Sequence, residues 1–186
     1  CEVNIIENGN RLLPRQTDDV ASSLLFEALI AKGINVHLNA ATEEFVGNDA
    51  VSGVKFKDGK VIDTDFVILS TGVRANVSIF SDIGLDMGRA IKVNEHMKTN
   101  LEGVYAAGDA AEFNGQNYCI WPIAMSQGKV AGSNAAGKET VYEDIKPHTQ
   151  LKIHGITLFT IGDIFCEGCE ILEQFDKEGN KYMKFL

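Results

Sequence analysis

The stretch that most constrains the fold lies between residues 99 and 109, which read Thr-Asn-Leu-Glu-Gly-Val-Tyr-Ala-Ala-Gly-Asp. Its apolar residues predict a short strand that ends at Gly108 and Asp109. Such a strand presents a carboxylate at its C-terminal edge, beside a glycine small enough for a cofactor backbone to approach closely. An aspartate after a strand also caps turns and helices, so its position alone leaves that structural alternative open.

The spacing of this stretch, with Thr99 ten residues before Asp109, resembles the second FAD-binding motif of the flavin-dependent pyridine nucleotide-disulfide oxidoreductases. In that family the aspartate hydrogen-bonds the ribityl chain of FAD, which requires an ionised acceptor held on a rigid strand edge. The resemblance implies that Asp109 binds the ribityl chain. It also implies that Gly108 is a glycine because a side chain there would collide with the cofactor.

Charge and composition exclude two classes of partner. The 186 residues carry a formal net charge of −9 without a cluster of Lys and Arg, so the sequence offers no surface that neutralises nucleic acid phosphates. The longest apolar runs are far shorter than the roughly 20 residues that cross a bilayer. We therefore expect neither nucleic acid nor a membrane as a partner.

The four cysteines are too few and too unevenly spaced for a disulfide framework, which favours a cytoplasmic location. Cys166 and Cys169 form a C-x-x-C, a spacing that also suits half of a metal site or a redox pair. With no second C-x-x-C and no histidine at ligand spacing, we expect two reduced thiols and no metal site. The histidines are assigned structural or surface roles: His37, His96, His148 and His154.

The first 69 residues predict strands that alternate with one helix. Apolar residues at helical spacing follow the capping residues Thr17, Asp18 and Asp19, and Gly33 marks the end of that helix. The continuous apolar run Phe66 to Leu69 is typical of a buried parallel strand. The predicted strands of this part are 2–6, 34–38, 41–46, 51–56, 60–62 and 66–69.

Glu7 directly follows the first predicted strand. An acid at the tip of the second strand of a Rossmann unit holds the adenosine ribose hydroxyls, about 20 residues after the glycine-rich loop. None of the 18 glycines belongs to a G-x-G-x-x-G, so that loop would have to precede residue 1. Taken alone, Glu7 is an exposed carboxylate in a turn.

The residues around Glu7 change that interpretation. The order of strand, acid, helix, further strands and the segment 71–76, Thr-Gly-Val-Arg-Ala-Asn, resembles the NAD(P)-binding domain of the same family without its first βα unit. The resemblance implies that Thr71 and Gly72 lie beside the nicotinamide-bearing cofactor, whereas the alternative is a plain loop. Glu7 would favour NADH over NADPH, because a carboxylate repels a 2′-phosphate.

A second helix is predicted from Trp121 and Pro122 to Gly137. In the resembled family such a helix points its N-terminus at the N1 and O2 atoms of the flavin, so the N–H groups of Ile123 and Ala124 are candidate donors. A purely structural helix, with small residues that permit close packing, is the alternative. Trp121 either covers the flavin or fills the core.

These elements predict an α/β fold with partial FAD- and NAD(P)-binding Rossmann-like domains of the three-layer β/β/α type, plus the start of a β-rich C-terminal domain. The expected boundaries are 1–77 for the partial NAD(P)-binding domain, 78–145 for the C-terminal half of the FAD-binding domain, and 146–186 for the last. That last part resembles a domain that forms a dimer interface or contacts the acceptor. Its predicted strands are 151–153, 157–161, 171–175 and 182–186.

The resemblance implies part of an FAD-dependent NADH oxidoreductase, similar to NADH-rubredoxin reductases, NADH oxidases and the flavoprotein segment of NADH-dependent nitrite reductases. FAD and NAD would be the cofactors of the complete protein, with an electron acceptor protein or small molecule, namely rubredoxin, a nitrite reductase centre, oxygen or a disulfide, and a homodimer partner. We assign no catalytic side chain, because the redox cysteine of the family belongs to the N-terminal flavin half.

We expect the chain to be a fragment, and to bind FAD and NADH weakly or not at all without turnover when expressed alone, because both glycine-rich loops are missing from its sequence. Two other functions stay open. One is a non-catalytic assembly or dimerisation module of a reductase-like protein. The other is an unrelated NAD-binding dehydrogenase, which the pattern of residues 99–109 disfavours because such enzymes need no ribityl contact.

Overall fold

The computed structural model describes residues 1–153, 155–176, 179 and 181–186, so His154 lies outside the described residues. The chain divides into two compact units, Cys1–Leu69 with His148–Leu186, and Ser70–Pro147. The α-helices are α1 Asp19–Ile30 and α2 Trp121–Ala135. The strands are β1 Val3–Ile6, β2 Ile34–His37, β3 Thr42–Gly47, β4 Val51–Phe56, β5 Val61–Asp63, β6 Ile91–Val93, β7 Ala111–Phe113, β8 His148–Ile153, β9 Ile156–Ile161, β10 Leu172–Asp176 and β11 Lys181–Phe185.

The first unit contains a βαβ crossover. Strands β1 and β2 are parallel, with Val3 opposite Ile34, and α1 connects them as parallel pairing requires. Buried Leu12, Leu25 and Leu29 form the core between helix and sheet. Their burial removes apolar surface from water, which is the main stabilising contribution to this packing. The α/β class predicted from the sequence is thereby confirmed.

Local capping signals fix the ends of α1. The Asp18 carboxylate accepts the N–H of Ala21 at 2.9 Å, which satisfies one of the free donors of the first turn. Gly33 follows the helix with a φ of +77°, a left-handed conformation in which glycine avoids the steric cost of a side chain. Both helix ends agree with the sequence prediction.

A three-stranded antiparallel meander follows in the order β3-β4-β5. The β4–β5 turn contains Asp58 and Gly59, and the Asp58 carboxylate accepts the N–H of Lys60 at 2.9 Å. Val54 and Phe56 of β4 are buried. The predicted short strands are therefore present, with ends that differ by one residue or less.

The predicted strand at 66–69 is wrong. Phe66 is 75% exposed and Ile68 is 78% exposed, and the run belongs to none of the sheets in the described chain. A buried parallel strand needs hydrogen-bonded neighbours and covered faces. In the described part of this unit the parallel sheet consists of β1 and β2 alone, so the apolar run has no neighbour to pair with.

The four C-terminal strands that the sequence predicts are present, although β8 begins three residues earlier than expected. They form two antiparallel hairpins, β8 with β9 and β10 with β11. They contact the segment that leads into α1. The hydroxyl of Thr160 donates to the carbonyl of Gln16 at 2.8 Å. The Tyr182 hydroxyl and the Lys184 ammonium donate to Asp18 Oδ2 at 2.7 and 3.1 Å. Asp18 therefore caps α1 and anchors the last hairpin.

These contacts make the first unit sensitive to the charge of Asp18. Burial raises the pKa of the Asp18 carboxyl, but the Ala21 N–H, the Tyr182 hydroxyl and the Lys184 ammonium lower it more, to a value below 3.8. A depressed folded-state pKa stabilises the fold above pH 3.8, and that contribution is lost as the pH falls through the lowered pKa.

Asp18→Ala is expected to lower the free energy of unfolding at pH 7 by about 1–2 kcal/mol, because the cap and both side-chain partners lose their acceptor. Asp18→Asn retains a capping oxygen but no charge, so it should lose less. Urea unfolding as a function of pH measures both effects. The deficit of the Asn variant should shrink below pH 3.8. A deficit that is constant with pH would contradict the role of the charge.

The second unit packs around two clusters. In one, Ile91 of β6 and Ala111 of β7, which are paired in parallel, form a buried cluster with Ala106. In the other, Met97 lies between α2 and Tyr142. None of the helices in the described part of the chain is long and apolar enough to cross a membrane.

The predicted strand before Asp109 is also wrong in part. Residues 104–107 form no regular strand, and a single bridge joins Lys98 to Tyr105. The backbone bonds of that bridge are formed, because the Thr99 N–H donates to the Val104 carbonyl at 3.0 Å and the Ala106 N–H donates to the Met97 carbonyl at 3.1 Å. The Thr99 hydroxyl adds bonds inside the chain reversal, where it donates to the Val104 carbonyl and accepts the N–H of Leu101, both at 3.1 Å. Such side-chain bonds to the backbone favour a turn over a sheet ladder. Residues Gly108–Ala110 then form a 3₁₀ turn.

The expectation of two reduced thiols at Cys166 and Cys169 is contradicted. The structure joins the two residues in a disulfide, with Cα atoms 5.7 Å apart. That separation falls within the range that a disulfide spans without backbone movement, which spacing in the sequence alone does not reveal. In the described residues, no group of three or more His, Cys, Asp or Glu is arranged to hold a metal ion.

Candidate cofactor-binding site

Among the predicted site residues, Glu7 belongs to the first unit, and the others belong to the second. Glu7 lies at the C-terminal end of β1, where its N–H donates to His37 at 2.9 Å and its carbonyl accepts from Ala40 at 3.0 Å. Its carboxylate is half-buried, and Oε1 accepts the N–H of Gly9 at 2.7 Å. The acid is thus held at the end of a parallel strand, the position where a Rossmann unit places its ribose-binding carboxylate.

A groove of about 470 Å³ lies between the loop after Glu7 and α1. Arg11 lines it, and its guanidinium is 3.0 Å from Asp19 and 5.6 Å from the ring centre of Phe165. The positive charge nearest to Glu7 in sequence is therefore already paired within the protein. It also rests on an aromatic face, which attracts a cation.

Gly108 forms the centre of the second half. Its φ is +67°, and a Cβ at this position would lie 3.2 Å from the Cβ of Ala124. Its N–H donates to Oε1 of Gln127 at 2.8 Å, and Gln127 is 3% exposed. The close approach of α2 and the left-handed backbone both require a glycine here. The structure thus gives Gly108 a packing reason that is independent of any cofactor.

Asp109 follows on the 3₁₀ turn, and its side chain is exposed. The Asn117 amide donates to the carbonyls of Asp109 and Ala111 at 2.9 and 2.8 Å, which fixes the turn. Burial raises the pKa of the Cys119 thiol, and the negative charge of Asp109 raises it further. An exposed carboxylate on a turn that one side chain holds at two carbonyls is a preorganised hydrogen-bond acceptor.

The N-terminus of α2 packs beside this turn. Ala124 donates its N–H to the Ile120 carbonyl at 3.0 Å, so that donor is engaged inside the helix. Ile123 is the third helical residue, and its N–H belongs to the first four that a helix does not satisfy itself. Trp121 is 79% exposed, so it does not fill the core of this unit.

Thr71 and Gly72 lie on an exposed segment without regular structure, and Gly72 has a φ of +90°. The structure therefore brings together Gly108, Asp109 and the start of α2, while Glu7 belongs to the other unit. The roles proposed for these residues toward a cofactor stay predictions.

Two residues that hold the second half in place, Gln127 and Asn117, were not predicted from the sequence. Gln127 occupies the same helical face as the buried Ile123 and Val130, and a polar residue within an apolar stripe indicates a buried hydrogen bond. Asn117 gave no comparable signal, because its partners are backbone carbonyls of a turn that the sequence did not predict.

The chain is similar to known oxidoreductases. A family profile described as pyridine nucleotide-disulphide oxidoreductase matches residues 1–128. The chain is 35% identical to the nitrite reductase NAD(P)H of Bacillus subtilis over its whole length, and covers 23% of that relative. It is 36% identical to the NADH-rubredoxin oxidoreductase of Clostridium acetobutylicum, over 82% of this chain and 37% of the relative.

The solved structures support the fold. The crystal structure of a ferredoxin reductase from Rhodopseudomonas palustris superimposes with a TM-score of 0.85 at 22% identity, covering 99% of this chain and 47% of that one. At that identity the likeness concerns the fold alone. Because the family profile covers well over half of its residues, the chain belongs to the pyridine nucleotide-disulphide oxidoreductase family, as the Thr99–Asp109 motif predicts.

Proposed function

We propose that this chain is part of an FAD-dependent NADH oxidoreductase that passes electrons from NADH through the flavin to an acceptor. The observation that carries the proposal is the turn at Gly108 and Asp109, which is packed against the N-terminus of α2. The chain covers less than two fifths of either curated relative named above, so the proposal concerns the complete protein. The flavin, when bound, would supply the redox chemistry.

The residues of the turn fit one part of FAD. The exposed Asp109 carboxylate would accept a hydrogen bond from a ribityl hydroxyl, and such a charge-assisted bond is stronger than a neutral one. The free N–H of Ile123 and the positive end of the α2 dipole would stabilise negative charge on the flavin ring. Trp121, exposed at the start of α2, would cover one face of the ring.

Residues 1–77 would bind NADH. Glu7 would accept hydrogen bonds from the adenosine ribose hydroxyls, and Thr71 with Gly72 would lie beside the nicotinamide end. NADPH recognition requires a cation for its 2′-phosphate. Arg11 is paired with Asp19 and stacked on Phe165, which supports the preference for NADH that Glu7 suggests.

The relatives support electron transfer to an acceptor. One is named a nitrite reductase and the other an NADH-rubredoxin oxidoreductase. We propose that residues 146–186 begin the domain that contacts the acceptor or forms a homodimer, with residues 1–77 and 78–145 as the NAD(P)- and FAD-binding parts. The chain expressed alone should retain neither cofactor, because it has no G-x-G-x-x-G.

The test is expression of the complete open reading frame, followed by a flavin spectrum and anaerobic titration with NADH and with NADPH. We expect bound FAD that NADH reduces, and reoxidation by one of rubredoxin, nitrite, oxygen or a disulfide. A complete protein that purifies without flavin and binds none when FAD is added would contradict the proposal and favour a non-catalytic assembly module.

A further inference from the structure

We propose that Cys166 and Cys169 form a reversible dithiol/disulfide site that exchanges with an external dithiol. The proposal concerns a segment remote in sequence from the Gly108–Asp109 turn and from Glu7. It does not depend on the proposed oxidoreductase activity. Its starting point is the disulfide that the structure places between these two residues.

The disulfide lies at an accessible position of the chain. Exchange requires a thiolate to reach one sulfur of the disulfide, so a disulfide in a core is protected and an exposed one is reactive. Cys166 is exposed and Cys169 is half-buried. The loop between them turns through Gly168, whose φ is +79°. An incoming thiolate therefore reaches Cys166 without any unfolding, and Cys169 is the leaving thiolate.

The disulfide closes a small covalent ring. Only Glu167 and Gly168 separate the two cysteines, so the bond closes a very short loop. A disulfide stabilises a fold chiefly by restricting the unfolded chain, and that effect falls as the loop shortens. Both cysteines also lie outside the buried clusters of the first unit. The bond therefore contributes little to folding, and its reduction should leave the unit folded.

A metal site is the competing use of a C-x-x-C. In the part of the chain that the structure describes, no third ligand accompanies the pair in a metal-binding group. Two thiolates alone do not complete the four-ligand shell of a structural zinc site. The arrangement therefore favours redox exchange over metal binding.

Exchange of the protein disulfide with the external dithiol takes two steps. A thiolate of the external dithiol attacks Cys166 Sγ, a mixed disulfide forms, and the S–S bond to Cys169 breaks. The second thiol of the reductant then displaces Cys166, so that the reductant becomes a disulfide. Two electrons and two protons pass to the protein, which ends with two thiols.

Charged side chains near the disulfide determine which reductants reach it. Asp163, Glu167 and Glu170 are exposed and lie within three residues of a cysteine. Exposed charges act over about 10 Å at 0.1 M salt and repel thiols of the same sign. The reductant we infer is therefore a dithiol without net negative charge.

The test uses the 186-residue chain and alkylation with N-ethylmaleimide, read by mass spectrometry of the native protein. Before reduction, Cys166 and Cys169 should be unlabelled while exposed Cys1 is labelled. After dithiothreitol without denaturant, both should label, and oxidised dithiothreitol should restore the unlabelled state. The far-UV circular dichroism should stay unchanged throughout.

Matched variants separate the pair from the other cysteines. Cys166→Ser should leave Cys169 reactive without any reductant, and Cys119→Ser should leave the titration unchanged. Labelling of both cysteines without reductant after treatment with oxidised dithiothreitol would overturn the proposal. Resistance to dithiothreitol until the chain is denatured would overturn it as well.

A second measurement tests the reductant class. Cysteamine, which is cationic, should open the disulfide several-fold faster than the anionic mercaptoethanesulfonate at low salt, and high salt should reduce the difference. Equal rates at low salt would overturn the assignment of a dithiol without net negative charge.

Discussion

Met97→Ala is expected to lower the free energy of unfolding of the unit Ser70–Pro147 by about 2–5 kcal/mol. The Met97 side chain has no exposed surface and packs against Val130 of α2 and the buried Tyr142. Its truncation removes buried apolar atoms and leaves a cavity that the rigid helix does not fill. Urea unfolding followed by far-UV circular dichroism, which reports the loss of α2, measures the change.

The chain provides a control of the same residue type. Met125 lies on α2 and is 59% exposed. Met125→Ala should change the free energy of unfolding by no more than about 0.5 kcal/mol, because it opens no cavity. Equal losses in the two variants would show that Met97 does not belong to the core of this unit.

Elements that depend on local signals could be predicted from the sequence. The start of α1 at Asp18 and its end at Gly33 need only the residues themselves, since one side chain accepts a helix N–H and one glycine adopts a positive φ. The turn at Asp58 and Gly59 is local in the same way. Each signal acts within a few residues, so no tertiary contact overrides it.

Elements that depend on distant partners could not be predicted. The run Phe66 to Leu69 is apolar enough for a buried strand, but pairing decides whether a strand exists. In the described chain, residues 104–107 pair only through the bridge between Tyr105 and Lys98, so the predicted strand before Asp109 does not form. The disulfide between Cys166 and Cys169 also depends on the path of the chain, which spacing alone does not specify.

The contacts that hold Gly108 and Asp109 in place could not be predicted from the sequence. The glycine at 108 and the small residue at 124 both appear in the sequence, but their contact is visible only once α2 packs on the turn. The buried amide of Gln127 then holds the Gly108 N–H. Of the two predicted donors of α2, Ala124 is engaged inside the helix, because its N–H closes the first helical turn on Ile120, whereas the Ile123 N–H has no acceptor within the helix.

Asp109→Ala in the complete protein is expected to weaken FAD binding by about 10- to 150-fold, equivalent to about 1.5–3 kcal/mol for one hydrogen bond to a charged acceptor. Asp109 is exposed on a turn that Asn117 holds, so its loss removes an acceptor without opening the core. The flavin content after purification and the Kd from flavin fluorescence quenching measure the effect. This prediction rests on the proposed function.

Two variants and the reactivity of the Cys119 thiol distinguish a loss of FAD binding from a loss of structure. Asp109→Asn retains an oxygen acceptor and should lose less affinity, while Glu102→Ala removes an exposed acid of the same segment and should lose none.

The negative charge of Asp109 contributes to the raised pKa of Cys119, so Asp109→Ala should speed alkylation of that thiol at neutral pH. Faster alkylation with unchanged flavin affinity would place the carboxylate beside Cys119 but outside the ribityl contact, and would remove Asp109 from the cofactor site.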